Sequence, residues 1–375
     1  MGLHRLLFQL HLWIGLVLGV LFVLISLSGS LLMLGPVTGL DTGKPAVRVP
    51  QAATPLSLEE LVARARQAAG APSGVAAEVT LPVGPGQPAT VHFGGWNSPY
   101  PNLLLDPATG REVARYPQRM HPALAVLSDL HSHLFAARAG RIAVGWLGVL
   151  MLGLGLSGLY LWWPRKGPWR QAFTVSGKAR GLRLHRELHG AVGVWSLLLF
   201  LTITLTGVGM VFHQSARATL ALASGSPNTP ERDPNLIPDV PVASGGPVIG
   251  GWQALALAEG GQARINPTSV TLPVRAGQAI KVQLGDWTGR TVFVDPYRAS
   301  LVEDPQPPSR VDGLSMQMVK LHIGHGLGPL YWLLAFVTGF VPLLFFVTGF
   351  FMWRRKRQNR LSMTRPLPDG PSPAA

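Results

Sequence analysis

Residues 9–19 read QLHLWIGLVLG and place His11 just inside a long apolar segment. A second segment of similar design, ELHGAVGVW, carries His189. In both segments a small hydroxyl residue and a glycine follow, and the glycine comes 18 residues after the histidine, at Gly29 and Gly207. Because an ionisable residue inside a membrane span is costly, it is a functional hypothesis by default. The matched spacing indicates that the two histidines share one role.

The composition predicts an α-helical membrane protein. Of the 375 residues, 47% are hydrophobic and only 13% are charged, against about 25% charged in a typical soluble protein. Four apolar runs, each long enough for a membrane-spanning helix, cover roughly residues 6–34, 142–163, 191–212 and 330–353. The first run is too long for the core of a signal peptide, so we expect it to be retained. The absence of cysteine excludes disulfides, iron–sulfur clusters, thiolate zinc sites and covalently attached haem.

The distribution of charge predicts the topology. The net charge is +14, and Arg5, the loop 164–186 and the tail from residue 354 carry 14 of the 32 lysines and arginines. The long loops 36–140 and 213–328 contain 16 of the 18 acidic residues. The positive-inside rule therefore places both termini and the basic loop in the cytoplasm and both long loops on the opposite side of the membrane. A basic excess confined to one membrane face argues against nucleic acid as a partner.

The chain also repeats itself internally. The sequence TLPV begins at Thr80 and again at Thr271, an offset of 191 residues. The same offset relates His131 in DLHSHLF to His322 in KLHIGHG. We interpret the chain as two parallel copies of a unit that consists of a helix, an exported module and a second helix.

Each exported module has the pattern of a small α+β domain. A helix is predicted over 57–68 and over 251–260, and alternating strands over 89–93 and 280–284. The Pro/Gly/Ser-rich segment 224–247 is typical of an irregular linker.

The repeat defines two histidine pairs, His11 with His189 and His131 with His322. We expect the first pair near the cytoplasmic face and the second at the outer face. Two facing neutral imidazoles suit a haem iron, and a four-helix bundle is a suitable container for haem. Small residues near the first pair would let the flat macrocycle approach the backbone: Gly15, Gly19, Gly190 and Gly193. The alternative is that these histidines are interfacial residues that bond lipid headgroups or backbone groups.

Other histidines are weaker candidates. His185, one turn before His189, and His213, at the outer end of the third span, are possible additional ligands, as are His133 and His325. A different arrangement would make an outer copper or zinc site from His131, His133, His322, His325, Met316 and Met318.

Six stretches together resemble the PepSY-associated transmembrane family of bacterial inner-membrane proteins: LHLWIGL, DLHSHLF, LSGLYLWWPRK, ELHGAVGVW, KLHIGHG and VTGFFMWRR. Within the family, the resemblance is to ferric-siderophore reductases of the FoxB type. It implies four membrane helices, two haem b groups on His11, His131, His189 and His322, and reduction of iron chelates on the periplasmic side. The second module departs from the pattern, because YRAS follows its Asp295-Pro296 where the first module has Ala-Thr-Gly after Asp-Pro.

The predicted function is haem-dependent transmembrane electron transfer to a ferric siderophore, which releases Fe(II) for uptake. The electron donor is left open between a quinol and a cytoplasmic reductase. The alternatives are a non-enzymatic PepSY-type binding or regulatory protein, and a metal-uptake accessory with the outer histidine site. The predicted domains are span 1 (1–35), module 1 (36–130), an interfacial segment with span 2 (131–163), the basic loop (164–185), span 3 (186–213), the linker with module 2 (214–318), an interfacial segment with span 4 (319–353) and the tail (354–375).

Overall fold

The computed structural model describes residues 2–50, 54–95, 98–164 and 169–363, with side chains to residue 359. Part of the basic loop and most of the tail lie outside the described residues. In chain order the helices are α1 (Leu3–Val17), α2 (Gly19–Leu32), α3 (Gly35–Thr38), α4 (Leu58–Ala69), α5 (Pro122–His133), α6 (Ala137–Trp162), α7 (Trp169–Ala172), α8 (Gly181–Val211), α9 (His213–Ser224), α10 (Gly251–Glu259), α11 (Arg310–Ile323), α12 (Gly328–Thr338) and α13 (Val341–Met363). The strands are β1 (Ala77–Thr80), β2 (Ala89–Phe93), β3 (Asn102–Leu105), β4 (Glu112–Tyr116), β5 (Thr268–Leu272), β6 (Ile280–Leu284), β7 (Arg290–Asp295) and β8 (Ser300–Val302).

The chain divides into two compact units. The helical unit comprises Met1–Leu34, Ala123–Asn228 and Leu314–Ala375, and the mixed unit comprises Gly35–Pro122 and Thr229–Gly313. The predicted modules, 36–130 and 214–318, were therefore drawn too wide. Helix α5, helix α9 and most of α11 pack with the membrane helices and not with the sheet.

Among the residues that the structure describes, four segments are long and apolar enough to cross a membrane: Gly19–Thr38, Ala137–Trp162, Gly181–Val211 and Gly328–Asn359. Helix α6 packs on α8, α8 packs on α13, α13 packs on α1 and α2, and α1 packs back on α6. These contacts join the segments into a four-helix bundle, in agreement with the four spans predicted from the apolar runs.

Two of the four predicted spans are interrupted. The prediction of one helix over 1–35 is corrected, because α1 ends at Val17 and α2 begins at Gly19. Phe346 packs directly on Gly19, where no side chain could be accommodated. The fourth span breaks between α12 and α13 at Gly339, which Ser30 contacts closely. Pro342 then occupies the first turn of α13, where its missing N–H costs no helical hydrogen bond.

The two histidines of the second pair lie on helices of their own. His131 is on α5 and His322 is on α11, and a short connection follows each helix. The predicted interfacial segments from 131 and from 319 are corrected accordingly, since α5 begins at Pro122 and α11 begins at Arg310. The helices are interrupted at 134–136 and at 324–327.

These two connections have similar backbones made from different residues. The second uses glycines in the left-handed region, at Gly324, Gly326 and Gly328. The first has positive φ at Leu134 (47°), Phe135 (59°) and Ala137 (45°). A left-handed conformation costs a non-glycine residue roughly 1–2 kcal/mol, so the first connection carries strain that the second avoids.

The mixed unit is built on one antiparallel sheet of eight strands in the order β4-β3-β2-β1-β5-β6-β7-β8. Strands β1–β4 and β5–β8 each form a meander, and β1 joins β5 at the centre with Val79 opposite Val270. The strands predicted at 89–93 and 280–284 have those bounds in the structure. The helices predicted at 57–68 and 251–260 are α4 and α10, each within one residue of the prediction at either end.

One face of the sheet carries α4 and α10 over a continuous apolar core, which includes Leu58, Leu61, Leu255, Val79 and Val270. The two helices are also joined by polar contacts. The backbone N–H of Gly251 donates to Glu59 Oε1 at 2.6 Å, and the indole of Trp252 donates to the Leu56 carbonyl at 2.8 Å. The two meanders therefore share one core, which explains how the unit is held together without disulfides.

Candidate functional site

The first histidine pair, His11 and His189, meets inside the helical unit. His11 is on α1 and His189 is on α8, and their ring centres are 6.2 Å apart with the planes inclined at 70°. Nδ1 of His11 lies 3.0 Å from Ser157 Oγ on α6. Nδ1 of His189 lies 2.8 Å from Thr348 Oγ1 on α13. All four predicted spans therefore contribute to this pair.

The second histidine pair, His131 and His322, is also assembled. Their ring centres are 6.1 Å apart and their planes are inclined at 41°. Nδ1 of His131 lies 2.7 Å from the carbonyl of Ile25 on α2, and Nδ1 of His322 lies 2.9 Å from the carbonyl of Ile203 on α8. Thr206 Oγ1 is a further neighbour of the His322 ring nitrogen, at 3.3 Å.

The rings of the second pair pack directly against glycines of neighbouring helices. A Cβ at Gly29 would lie 2.6 Å from Cε1 of His131, and a Cβ at Gly207 would lie 2.8 Å from Cε1 of His322. These are the glycines that follow the first-pair histidines by 18 residues. Their role is therefore to admit the rings of the other pair. Gly158 similarly lies against His11, where a Cβ would be 3.2 Å from Cε1.

The two pairs lie far apart along the bundle. Helix α8 runs without interruption from Gly181 to Val211 and contains both His189 and Gly207, the seat of His322. Eighteen residues at 1.5 Å each amount to about 27 Å of helix, close to the hydrocarbon thickness of about 30 Å. The pairs are therefore near opposite ends of the apolar part of the bundle.

The second pair is kept neutral by its surroundings. Burial lowers the pKa of His131, although the hydrogen bond to Ile25 opposes this effect. Burial, with repulsion from His131, lowers the pKa of His322 to about 4. Both residues lie on helices outside the four membrane-spanning segments. Neutral imidazole is the form that binds metal.

Both pairs fit a metal ion held between two rings. A metal–imidazole bond is about 2 Å long and the ring nitrogen is roughly 1 Å from the ring centre, so two rings on opposite sides of one ion have centres about 6 Å apart. The observed separations are 6.2 and 6.1 Å. In all four rings the hydrogen bond is made by Nδ1, which leaves Nε2 for a ligand. A metal-bound histidine almost always engages its second nitrogen in this way.

The comparisons with known proteins agree with the membrane fold. The family model described as the PepSY-associated TM region matches residues 8–356. The chain belongs to this family. Together with the four apolar helices, the match makes it a multi-pass protein of a lipid bilayer.

A relative in Pseudomonas aeruginosa carries the name Uncharacterized protein PA4219. It is 37% identical over 141 residues, which cover 34% of this chain and 32% of the relative. The chain thus spans about a third of the length of this relative, whose name assigns no activity.

The weaker histidine candidates lie outside the two pairs. His185 stacks on Phe351 with ring centres 5.1 Å apart, and His133 lies 3.5 Å from Asp129. His213 begins α9, and His325 lies in the connection between α11 and α12. Within the described ranges no three His, Asp or Glu side chains come together as a metal site. The four-histidine copper or zinc site is therefore not assembled.

The glycines expected to make room for a macrocycle mostly have other neighbours. Phe346 occupies the space beside Gly19, Trp162 lies against Gly190, and Phe345 lies near Gly193. A Cβ at Gly15 would meet no atom within 4 Å. Only Gly15 therefore retains open space beside the first pair.

Sequence reasoning missed the partners of the first pair, Ser157 and Thr348. The signal was present, because each precedes a glycine that comes 27 residues after His131 or His322. Along the chain that spacing relates the hydroxyls to the second pair, whereas in the bundle they bond the first. Antiparallel packing of neighbouring spans brings the end of α6 beside the start of α1, which spacing along one chain does not reveal.

Proposed function

We propose that the protein carries electrons across the bacterial inner membrane and reduces ferric siderophores in the periplasm, so that Fe(II) is released for uptake. One observation carries the proposal: two separate histidine pairs, each with ring centres about 6 Å apart and Nδ1 already hydrogen-bonded, near opposite ends of one bundle. One such pair has many structural explanations. Two at opposite ends form the start and the end of an electron path.

Haem b is the group that these residues would hold, with His11 and His189 around one iron and His131 and His322 around the other. A bound haem would supply reversible one-electron transfer. With two imidazoles as its ligands, neither iron would be expected to bind oxygen, so each haem would serve electron transfer only. The chain's own part is to hold the rings at the correct separation, to keep their Nδ1 protons engaged and to surround them with apolar helices.

The direction of transfer rests on the topology. The basic residues of the 164–185 loop and the 354–375 tail favour a cytoplasmic location for both. In that orientation the first pair is near the cytoplasm and the second is near the periplasm. The 191-residue repeat supports two parallel copies, with the modules of the mixed unit in the periplasm.

A ferric siderophore is a suitable acceptor because oxygen-rich ligands hold hard Fe(III) far better than the softer Fe(II). Each Fe(III) takes one electron and leaves as Fe(II). A quinol that is oxidised to quinone supplies two electrons and releases two protons, enough for two ferric ions. A cytoplasmic reductase is the other class of donor.

Haem content tests the cofactor first. The full chain, purified in detergent from haem-replete cells, should give a low-spin b-type spectrum and close to two haems per chain in a pyridine haemochrome assay. His189→Ala and His322→Ala should each lose about one haem. His185→Ala and His133→Ala are the matched controls. His185 lies one turn from His189 and His133 lies near His131, and both variants should retain two haems. A colourless wild-type protein that is folded by circular dichroism would refute the proposal.

Electron transfer tests the activity. Dithionite-reduced protein should be reoxidised under anaerobic conditions by ferric hydroxamate, carboxylate or catecholate chelates, with Fe(II) trapped by ferrozine. His322→Ala, which removes the second pair, should abolish this reoxidation. If both haems bind but no ferric chelate reoxidises them, a different acceptor is required. If metal analysis finds copper or zinc without haem, the metal-uptake alternative is favoured.

A further inference from the structure

We infer that Ser157 and Thr348 are positioning residues that fix the rings of the first histidine pair and set the reduction potential of its centre independently of the second. The inference rests on the proposed function, because it assumes that the pair holds haem. It starts from a difference between the pairs. The closest hydrogen-bond partners of the first pair are side-chain hydroxyls, whereas those of the second are main-chain carbonyls, with the Thr206 hydroxyl farther from His322 at 3.3 Å.

The direction of the hydrogen bonds follows from the helices. Ser157 Oγ donates its only proton to the Leu154 carbonyl at 3.1 Å, and Thr348 Oγ1 donates to the Leu344 carbonyl at 2.7 Å. Each oxygen can then only accept from the histidine beside it. Nδ1 of His11 and Nδ1 of His189 must therefore carry the proton. Each hydroxyl thus selects the tautomer whose Nε2 lone pair is free to bind a metal.

A hydrogen bond from Nδ1–H also changes the metal ligand electronically. It increases electron density on the imidazole and raises its basicity at Nε2. A more basic ligand stabilises ferric over ferrous iron, so the reduction potential of the centre falls. If the acceptor is removed, the potential should rise. The sequence can vary Ser157 and Thr348, but it cannot remove the carbonyls of Ile25 and Ile203.

The location of the two hydroxyls agrees with this role. Thr348 is buried, with 4% of its surface exposed, in the α13 face that packs on α8. Phe345, one turn before it, lies against the His189 ring with centres 4.8 Å apart. The ring is therefore held from two directions, by an apolar contact and by one polar contact whose direction is fixed. On the other side, Ser157 is followed by Gly158, which allows the edge of His11 to approach.

The test is a potentiometric titration of both haems in Thr348→Val, which keeps the side-chain shape and removes the acceptor. We expect one of the two potentials to rise and the other to stay unchanged, with a change in the electron paramagnetic resonance signal of the same haem. Ser157→Ala should raise the same potential. Thr348→Ser restores a hydroxyl and should return the potential towards that of the wild type.

Two matched controls separate this role from general damage to the bundle. Thr338 is buried and donates to the Leu334 carbonyl at 2.7 Å, and Ser196 donates to the Val192 carbonyl at 2.7 Å. Neither hydroxyl bonds a histidine, so Thr338→Val and Ser196→Ala should leave both potentials unchanged. Loss of one haem in Thr348→Val, but not in Thr348→Ser or Thr338→Val, also supports positioning.

Three results would overturn the inference while the proposed function stands. They are two retained haems with unchanged potentials in Thr348→Val, equal shifts in both haems, or the same shift in Thr338→Val. A wild-type protein without haem contradicts the proposed function itself. The two failures are therefore distinguishable.

Discussion

The two histidine pairs have nearly the same ring separation, 6.2 and 6.1 Å, but they are built differently. The first joins α1 and α8 directly, and its hydrogen-bond partners are hydroxyl side chains on α6 and α13. The second lies on separate helices, α5 and α11, and its rings press on glycines and bond main-chain carbonyls. The same distance is therefore reached by two kinds of support.

This difference indicates which changes each pair tolerates. A pair supported by hydroxyls loses its support through single side-chain substitutions, with little change of shape. A pair that rests on glycine and backbone is insensitive to loss of a side chain but intolerant of an added carbon. The two pairs should therefore respond oppositely to small substitutions.

The largest effect on haem binding is expected at the glycines that contact the rings of the second pair. Gly29→Ala places a carbon 2.6 Å from the His131 ring, and Gly207→Ala places one 2.8 Å from the His322 ring. Because real Cβ atoms are not found this close, the rings must move and each variant should lose about one haem. Haem quantitation with redox difference spectra measures the loss.

Gly153→Ala is the control for this prediction, because Gly153 lies on the exposed side of α6 and its Cβ would meet no atom within 4 Å. It should retain both haems. Alanine favours a helix over glycine by about 1 kcal/mol, so helix propensity cannot cause the loss in the other two variants. Two retained haems in Gly29→Ala and Gly207→Ala would remove the contrast between the pairs.

A smaller effect is expected within the first pair. Gly158→Ala brings a carbon to 3.2 Å from His11 Cε1, a contact that a shift of a few tenths of an ångström relieves. We expect both haems to bind and one to be lost several-fold faster to excess apomyoglobin. Gly349→Ala, at the position equivalent to Gly158 in the repeat, meets no atom within 4 Å and should behave as wild type. Equal rates in the two variants would contradict the geometry.

The smallest effect is expected in the connections that follow the second pair. Ala137 has a φ of 45°, and its counterpart 191 residues later is Gly328, with a φ of 85°. Ala137→Gly should stabilise the helical unit by about 1 kcal/mol because glycine adopts positive φ without steric cost. Gly328→Ala, whose Cβ would meet no atom within 4 Å, should destabilise it by a similar amount. Unfolding in graded detergent mixtures would measure both changes, and changes of the same sign would contradict this interpretation.

Much of the fold could be predicted because it depends on patterns along the chain. Apolar runs of membrane length gave four spans, and alternation gave strands β2 and β6 with their observed bounds. The unit boundaries could not be predicted, since α5, α9 and α11 are amphipathic or moderately polar and resemble parts of the exported modules. Contacts with the long helices assign most of their residues to the bundle. At the breaks, Phe346 packs against Gly19 and Ser30 packs against Gly339, and these contacts between distant segments are not visible in the local sequence.

By itself, the sequence determined which histidines form pairs. The 191-residue offset and the His-to-Gly spacing singled out His11 with His189 and His131 with His322, and each of these two pairs meets in the structure. The tertiary structure alone decided what surrounds each ring. A hydrogen-bond partner lies on a neighbouring helix more than a hundred residues away in the chain. Only packing brings Ser157 and Thr348 to one pair, and Gly29 and Gly207 to the other.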